Sequence, residues 1–408
     1  MAEDEPGATA TAPVQRGTNQ AGMRAFNERL VLSLVRRHRA LAKSAIAGMT
    51  GLSVQTVSVI MRQLEADDLL LRGEPQRGKV GQPRVPMSIN PEGAFFVGVK
   101  IGRRSLQIML VDFEGGVRHS VTHGYDFPKT LECFGRVRSQ VAEYAAMLGP
   151  KADRLAGLGL AMPSRIWEWA DEIGADQAEL ARWADIDIAA ELALVPALPV
   201  YVQDDATAAC GAELAFGNPE GLMDFLHVHV GAFIGGGIVL NGALHTGRTG
   251  KAAALWPLPV SDGKGGTVPL LDRASLILLE RRVLAAGLPV ELLHDLSGDW
   301  ESLGDVLEAW LDGAGPAIAQ AVVAAASVLE LGTVVVDGAL PDPVRDRLVA
   351  RVRDELELYD MRGFERPEVR TGTVGPDARA IGGASLPLFD RYLVDPGTLA
   401  VSGGRQAS

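Results

Sequence analysis

The sequence predicts an α/β protein with a small basic helical head in front of a larger body, and three observations carry that expectation. The 408 residues are 47% hydrophobic and 22% charged, which is enough apolar material for two or three compact cores. Charge is divided unevenly: residues 1–90 hold twelve Lys/Arg against eight Asp/Glu, while the remainder hold 27 against 43. A basic segment therefore precedes an acidic one, although the whole chain carries −12. Hydrophobic spacing also changes, from the three-to-four period of helices before residue 70 to short β-type runs alternating with helical stretches after residue 95.

Residues 1–20, which begin MAEDEPGATATAP, lack an apolar segment behind a basic start and read as a solvated tail rather than a signal peptide. From Met23 to His38 the apolar Phe26, Leu30, Leu34 and Val35 recur at helical spacing, with Arg24, Arg29, Arg36 and Arg37 on other faces. KSAIAGMTGLSVQTVSVIMRQLEADDLL, from Lys43, then gives a short helix, a turn at Thr50-Gly51, an N-cap at Ser53 and a longer helix. The pattern is helix-turn-helix. In its second helix Val57, Ile60, Met61 and Leu64 form an apolar stripe, and Gln55, Ser58 and Arg62 share another face. Short polar side chains and an Arg are the residue types that read base edges in a major groove; the plainer alternative is the solvated face of a three-helix bundle. Lys43, Ser53 and Thr56 join the candidate contacts. LLLRGEPQRGKVGQPRVPMSIN, from Leu69, places two β-type runs around a Gly- and base-rich segment, a hairpin wing on which Arg77, Lys79, Gln82 and Arg84 would meet phosphates or a minor groove. The expected DNA-binding domain is residues 21–90.

The body is expected in two lobes, 91–202 and 203–408, with the C-terminal segment returning to the first. FFVGVKIGRRSLQIMLVDFEGGV gives two strands, LAGLGLAMPS a third and PVYVQDD a fourth, followed by an Ala-rich helix. FLHVHVGAFIGGGIVLNG reads as a hairpin with a Gly-rich tip. AIAQAVVAAASVLELGTVVVDG, from Ala317, is interrupted by Gln320 and Glu330 and reads as a buried helix leading into a buried strand, not a membrane span. Cys133 and Cys210 stand far apart without CxxC spacing, which argues against a thiolate metal site and for a reducing compartment, hence the cytoplasm.

The order of these pieces resembles the ROK family of sugar kinases and sugar-responsive repressors from about residue 16 to 388, and the head with GLSVQTVS and a GQPR turn is similar to the repressor branch. The resemblance implies a winged helix-turn-helix before a two-lobed, actin-like body with a sugar cleft between the lobes. VQDDATAACGAE matches the stretch that carries the family's catalytic Asp, at Asp205, with Asp204 in a sugar-contacting slot. GAFIGGGIVLNG resembles a phosphate loop. Ligand contact is accordingly expected at Ser164, Asp204, Asp205, Gly235 and Gly236, with a helix cap as the alternative for the two aspartates.

Several departures stand beside these matches. Lys100 takes the slot of an acidic residue that serves Mg-ATP, Ala232 and Phe233 replace the loop's Thr and Gly, and Ala253, Ala254 and Pro257 stand where the family has Gly, Glu and a zinc-binding His. SDGKGGTVPLLDRAS has no Cys, so no metal and no cofactor are expected. A general base alone supplies about 10²–10⁴-fold, whereas phosphoryl transfer rests on positioning and charge neutralisation. The expectation is a transcriptional regulator, not an enzyme, bound as a homo-oligomer to a two-fold site on double-stranded DNA, with a sugar or sugar phosphate as effector and no membrane association. Two alternatives are an active sugar kinase with an accessory head, and a regulator whose body binds no sugar and serves as an oligomerisation scaffold.

Overall fold

The computed structural model describes residues 20–75, 84–192, 198–218 and 220–394. The head opens with α1 (Gln20–His38), followed by β1 (Ala40–Ala42), α2 (Lys43–Thr50), α3 (Val54–Ala66), β2 (Leu70–Arg72) and β3 (Pro86–Ile89). Its strands form a small antiparallel sheet in the order β1-β3-β2. Gly51, at φ +71°, ends α2 in the left-handed conformation, and its N–H donates to the Ala47 carbonyl. That reversal is what glycine permits there.

The body contains two five-stranded sheets of one plan. The first sheet is built from β4 (Phe95–Ile101), β5 (Ser105–Asp112) and β6 (Val117–Gly124), then, after α4 (Thr130–Leu148), β7 (Leu155–Met162). Three short helices, α5 (Ala170–Ile173), α6 (Gln177–Asp185) and α7 (Ile188–Leu192), precede β8 (Val200–Asp204). The order is β6-β5-β4-β7-β8, with antiparallel pairs at the meander and parallel pairs from β4 onward. Helix α8 (Asp205–Phe216) leads to β9 (Phe225–Val230), β10 (Ile234–Leu240) and β11 (Ala243–His245). A two-stranded ribbon, β12 (Pro259–Ser261) and β13 (Thr267–Pro269), comes before α9 (Leu271–Ala274), α10 (Leu276–Ala285), α11 (Asp305–Leu329), β14 (Thr333–Gly338), α12 (Asp342–Leu356), β15 (Glu368–Thr371) and α13 (Ala378–Tyr392). The second sheet runs β11-β10-β9-β14-β15, again a meander followed by two parallel strands.

The architecture is therefore a winged helix-turn-helix head and a two-lobed actin-like α/β body. Two differences from the sequence reading have physical causes. Strand β6, VRHSVTHG, alternates exposed and half-buried residues at the sheet edge and carries few apolar side chains, so it gives no apolar run to read. The glycines 235–237 lie within β10, not at the hairpin tip, which is Gly231–Phe233. Strand glycines mark close backbone approach: a Cβ on Gly237 would stand 2.3 Å from Cys210 Cβ of α8, and one on Gly235 2.7 Å from Ala206 Cβ.

Helices α8 and α13 pack against each other, α8 also on β10 and β9 and α13 also on β4 and β7. Helix α11 is long and apolar enough to cross a bilayer by composition alone, yet Trp310, Leu311, Ile318 and Val322 bury its inner face in the second lobe's core with Val334, Val336 and Leu348. Head and body also share a core: Val31, Val35, Val57 and Ile60 join a cluster with Phe96, Phe113, Ile381 and Leu388. Arg154 pairs with Asp68 at 2.7 Å, and Ser33 Oγ accepts the Val394 N–H at 3.0 Å across the same junction.

Candidate DNA interface and interlobe cleft

Ser53 caps α3 as its position predicts, its hydroxyl accepting the Thr56 N–H at 3.0 Å while Thr56 Oγ1 lies 2.8 Å away. Val57, Ile60, Met61 and Leu64 face inward. Gln55, Thr56 and Arg62 are exposed and Ser58 is half-buried, so a polar face stands outward on a helix held from behind. Arg62 Nε donates to the Ser58 carbonyl at 3.2 Å, a local bond that an incoming acceptor can replace. Lys43 is exposed at the start of α2, and Arg84 is exposed beside β3. Arg77, Lys79 and Gln82 lie outside the described residues. Arg72, which the sequence reading did not single out, is held by a bidentate pair with Glu65, at 3.0 and 2.8 Å. Such exposed pairs stabilise little, but this one fixes β2 against the end of α3.

In the cleft the two adjacent carboxylates divide their work. Asp204 is the N-cap of α8: Oδ1 accepts the Ala206 N–H and Oδ2 the Ser164 N–H, both at 3.2 Å. Burial, with Asp205 beside it, raises its pKa above the usual carboxylate value. The sequence left a helix cap open for either aspartate beside ligand contact, and the fold gives the cap to Asp204. Asp205 instead pairs with Arg379 of α13 at 3.1 Å, both side chains largely buried. No sequence spacing connects residues 174 positions apart.

Lys100, at the end of β4, donates to Ser105 Oγ at 3.2 Å. Burial, and then the like charge of Arg379, bring its pKa down to about 7. His229 is buried close to both cations, and desolvation followed by Arg379 keeps it well below the ordinary histidine value. The space around Asp205 is thus lined by Lys100, Arg379 and a neutral imidazole, an arrangement that repels a divalent cation.

The hairpin tip is also committed. The carbonyls of Gly231 and Ala232 accept the Leu276 and Ile277 N–H groups, at 2.9 and 3.2 Å, at the start of α10, so these donors are not free for phosphate oxygens. Phe233 stacks on Trp169 with centroids 4.4 Å apart, and Trp169 meets Trp256 edge-on at 5.2 Å. This aromatic group joins the lobes, as does the ion pair of Arg103 with Glu280. The structure brings Ser164, Asp204 and Asp205 together, and it packs Gly235 against Ala206 and Gly236 against the His227 carbonyl and Leu255. A cavity of about 730 Å³ lies elsewhere, between α1 and the body, where Arg29, Arg36, Gln203, Phe216 and Asp390 line it.

Comparison with known proteins places the body. Residues 96–256 match the ROK family. An uncharacterised protein of Sinorhizobium fredii is 24% identical over 386 residues, covering 94% of both chains. The xylose repressor of Bacillus subtilis is 21% identical over 237 residues, 57% of this chain and 60% of that protein. A transcriptional regulator of Mycobacterium tuberculosis is 27% identical over 275 residues, 65% of this chain and 60% of its own length. The matches to these two regulators thus span about three-fifths of their length. Among solved structures, a ROK family transcriptional regulator homologous to the E. coli Mlc protein superposes with TM-score 0.66 at 17% identity, covering 93% of this chain and all of that one. A ROK hexokinase from Thermus thermophilus gives 0.51 at 23% identity, covering 76% of this chain and all of that one. These structural likenesses establish the fold.

Proposed function

We propose that this chain, which carries a ROK family domain at residues 96–256, is a DNA-binding transcriptional regulator, working as a repressor of sugar-related genes, whose kinase-like body transfers no phosphate. Residues 21–90 form the DNA-binding domain, 91–202 and 203–408 the two lobes, and 1–20 a tail. Gln55, Ser58 and Arg62 read bases, Ser53 and Thr56 set the start of the reading helix, and Lys43, Arg77, Lys79, Gln82 and Arg84 meet the backbone or a minor groove. One short helix reads too few base pairs to be selective, so the chain acts as a homo-oligomer on a two-fold site.

The observation that carries the loss of catalysis is the Arg379–Asp205 pair beside Lys100. The residue in the general-base slot has a cationic partner, Arg379, and the metal that phosphoryl transfer needs would face that guanidinium and, below about pH 7, the Lys100 ammonium as well. Ser164 and Asp204 remain as polar groups that a sugar effector could engage, and Lys100 and Arg379 suit a sugar phosphate. The scaffold reading gains support from Phe233, Trp169 and Trp256 packing together between the lobes and from the tight packing of Gly235 and Gly236. The test is to incubate the purified chain with Mg-ATP and a panel of hexoses and amino sugars, and to follow its melting temperature with each sugar and sugar phosphate. No ADP should form, and an effector should raise the melting temperature. Sugar-dependent ADP release that is lost in Asp205→Asn would restore the kinase; no thermal shift with any ligand would leave the scaffold.

A further inference from the structure

On the inward face of β9, His227 and His229 are fully buried and stack 6.2 Å apart at 21°. Two carboxylates converge on His227, Glu213 from α8 and Asp337 from β14. One ligand atom of each residue lies within 4.8 Å of the other two, and the residues are 3%, 0% and 0% exposed for Glu213, His227 and Asp337. Among the described residues neither ring nitrogen of His227 has a hydrogen-bond partner. A buried imidazole with both nitrogens unsatisfied is a costly arrangement, and it requires an explanation.

The carboxylates, by contrast, are held in place. Asp337 accepts Arg345 Nη1 at 3.1 Å and the Gly375 N–H at 2.9 Å. Glu213 accepts the Asn218 N–H at 3.1 Å, the Thr373 N–H at 3.0 Å and Thr373 Oγ1 at 2.9 Å. Outer partners of this kind orient metal-binding carboxylates. Arg345 offsets one of the two charges, while Glu213 makes no salt bridge among the described residues.

We propose that Glu213, His227 and Asp337 bind one divalent cation of the zinc class, through one imidazole nitrogen and two carboxylate oxygens, as a structural site. Three atoms within 4.8 Å of one another lie at most about 2.8 Å from a common centre, and zinc takes N and O ligands at roughly 2.0–2.2 Å. Each side chain needs to close by less than about 1 Å. The cation satisfies one of the two ring nitrogens of His227 and balances Glu213 in one step. A shared proton would do the same only by hydrogen-bonding a ring nitrogen to a carboxylate, and the structure makes no such bond. An imidazole among the ligands favours zinc over magnesium or calcium. The ion would tie α8 to β9 and β14, and α8 starts at Asp205, capped by Asp204. This site is separate from the family zinc slot near residue 257, and it departs from the expectation that the chain holds no metal.

The experiment uses the full chain, purified without metal-affinity resin or chelator and weighed for zinc by elemental analysis after gel filtration. The chain is then unfolded in guanidinium with a chelator and refolded with and without Zn²⁺. About one equivalent of zinc per chain is expected, with a higher melting temperature after refolding in Zn²⁺ than without it. His227→Leu and Glu213→Gln should each lose the equivalent, and if the histidine variant fails to fold, Glu213→Gln decides alone. Less than about a tenth of an equivalent, with the same melting temperature after both refoldings, would overturn the site. Zinc retained in full by Glu213→Gln would overturn it as well, since the ion would then be held elsewhere.

Discussion

Asp204 and Asp205 show how far two neighbouring carboxylates can diverge once a chain folds. A strand-to-helix junction with two acids contains a cap, and this much is legible in VQDDATAAC. Which acid caps is fixed by the backbone at the turn, and what the other does is fixed by Arg379, which folding brings from α13. Replacing Asp204 by Ala removes the acceptor for both the Ala206 and Ser164 N–H groups, and a loss of about 0.5–2 kcal/mol is expected in denaturant unfolding. Lys100 gives a pH-dependent prediction. Its folded pKa is about 7, below the unfolded value of 10.5, so the unfolded chain binds more protons between these values and the native state bears the full desolvation penalty below pH 7. Lys100→Met should therefore stabilise the protein most below pH 7, by on the order of 2–4 kcal/mol. The gain should shrink as the pH rises toward 10.5. A gain that grows with pH would show that the amine is not buried as a cation.

At the scale of elements, the head was the most legible part because its signals are local. The Gly51 turn, the Ser53 cap and the apolar stripe of α3 each arise from residues within one or two helical turns of one another. Gln55→Ala and Arg62→Ala should each weaken operator binding by about 1–3 kcal/mol and change binding to random DNA little. Lys79→Ala should weaken both and lower the salt slope by about 1; anisotropy titrations at several salt concentrations separate the two patterns. The body's sheets were readable where apolar runs were buried on both faces, as in β4, β7, β9 and β14. The edge strand β6 was not, because half-exposed residues carry little pattern. The glycines of β10 were misplaced at the hairpin tip, since sequence does not reveal that α8 must approach the sheet at Cys210 and Ala206.

For the whole molecule, charge division and element order were visible in the sequence, while the closure of the two lobes was not. Trp169, Phe233 and Trp256 come from three separate segments, and only the fold makes them one contact. The shared core of head and first lobe means that α3 is mounted on the body, not tethered to it. Packed side chains thereby connect the body to the exposed polar face of α3. Asp205→Asn, which weakens the tie between α8 and α13, should leave DNA affinity without ligand nearly unchanged and diminish any ligand effect on it. A chain that reads DNA as a symmetric oligomer should, in an in vitro selection from a random duplex library with the purified full chain, enrich a two-fold symmetric site. Its half-site centres should lie about 10–10.5 bp apart, or a multiple of that spacing, and the enrichment should be lost with Gln55→Ala and Arg62→Ala together. Recovery of no motif above random DNA, or of an asymmetric motif indifferent to both substitutions, would contradict symmetric reading by this chain.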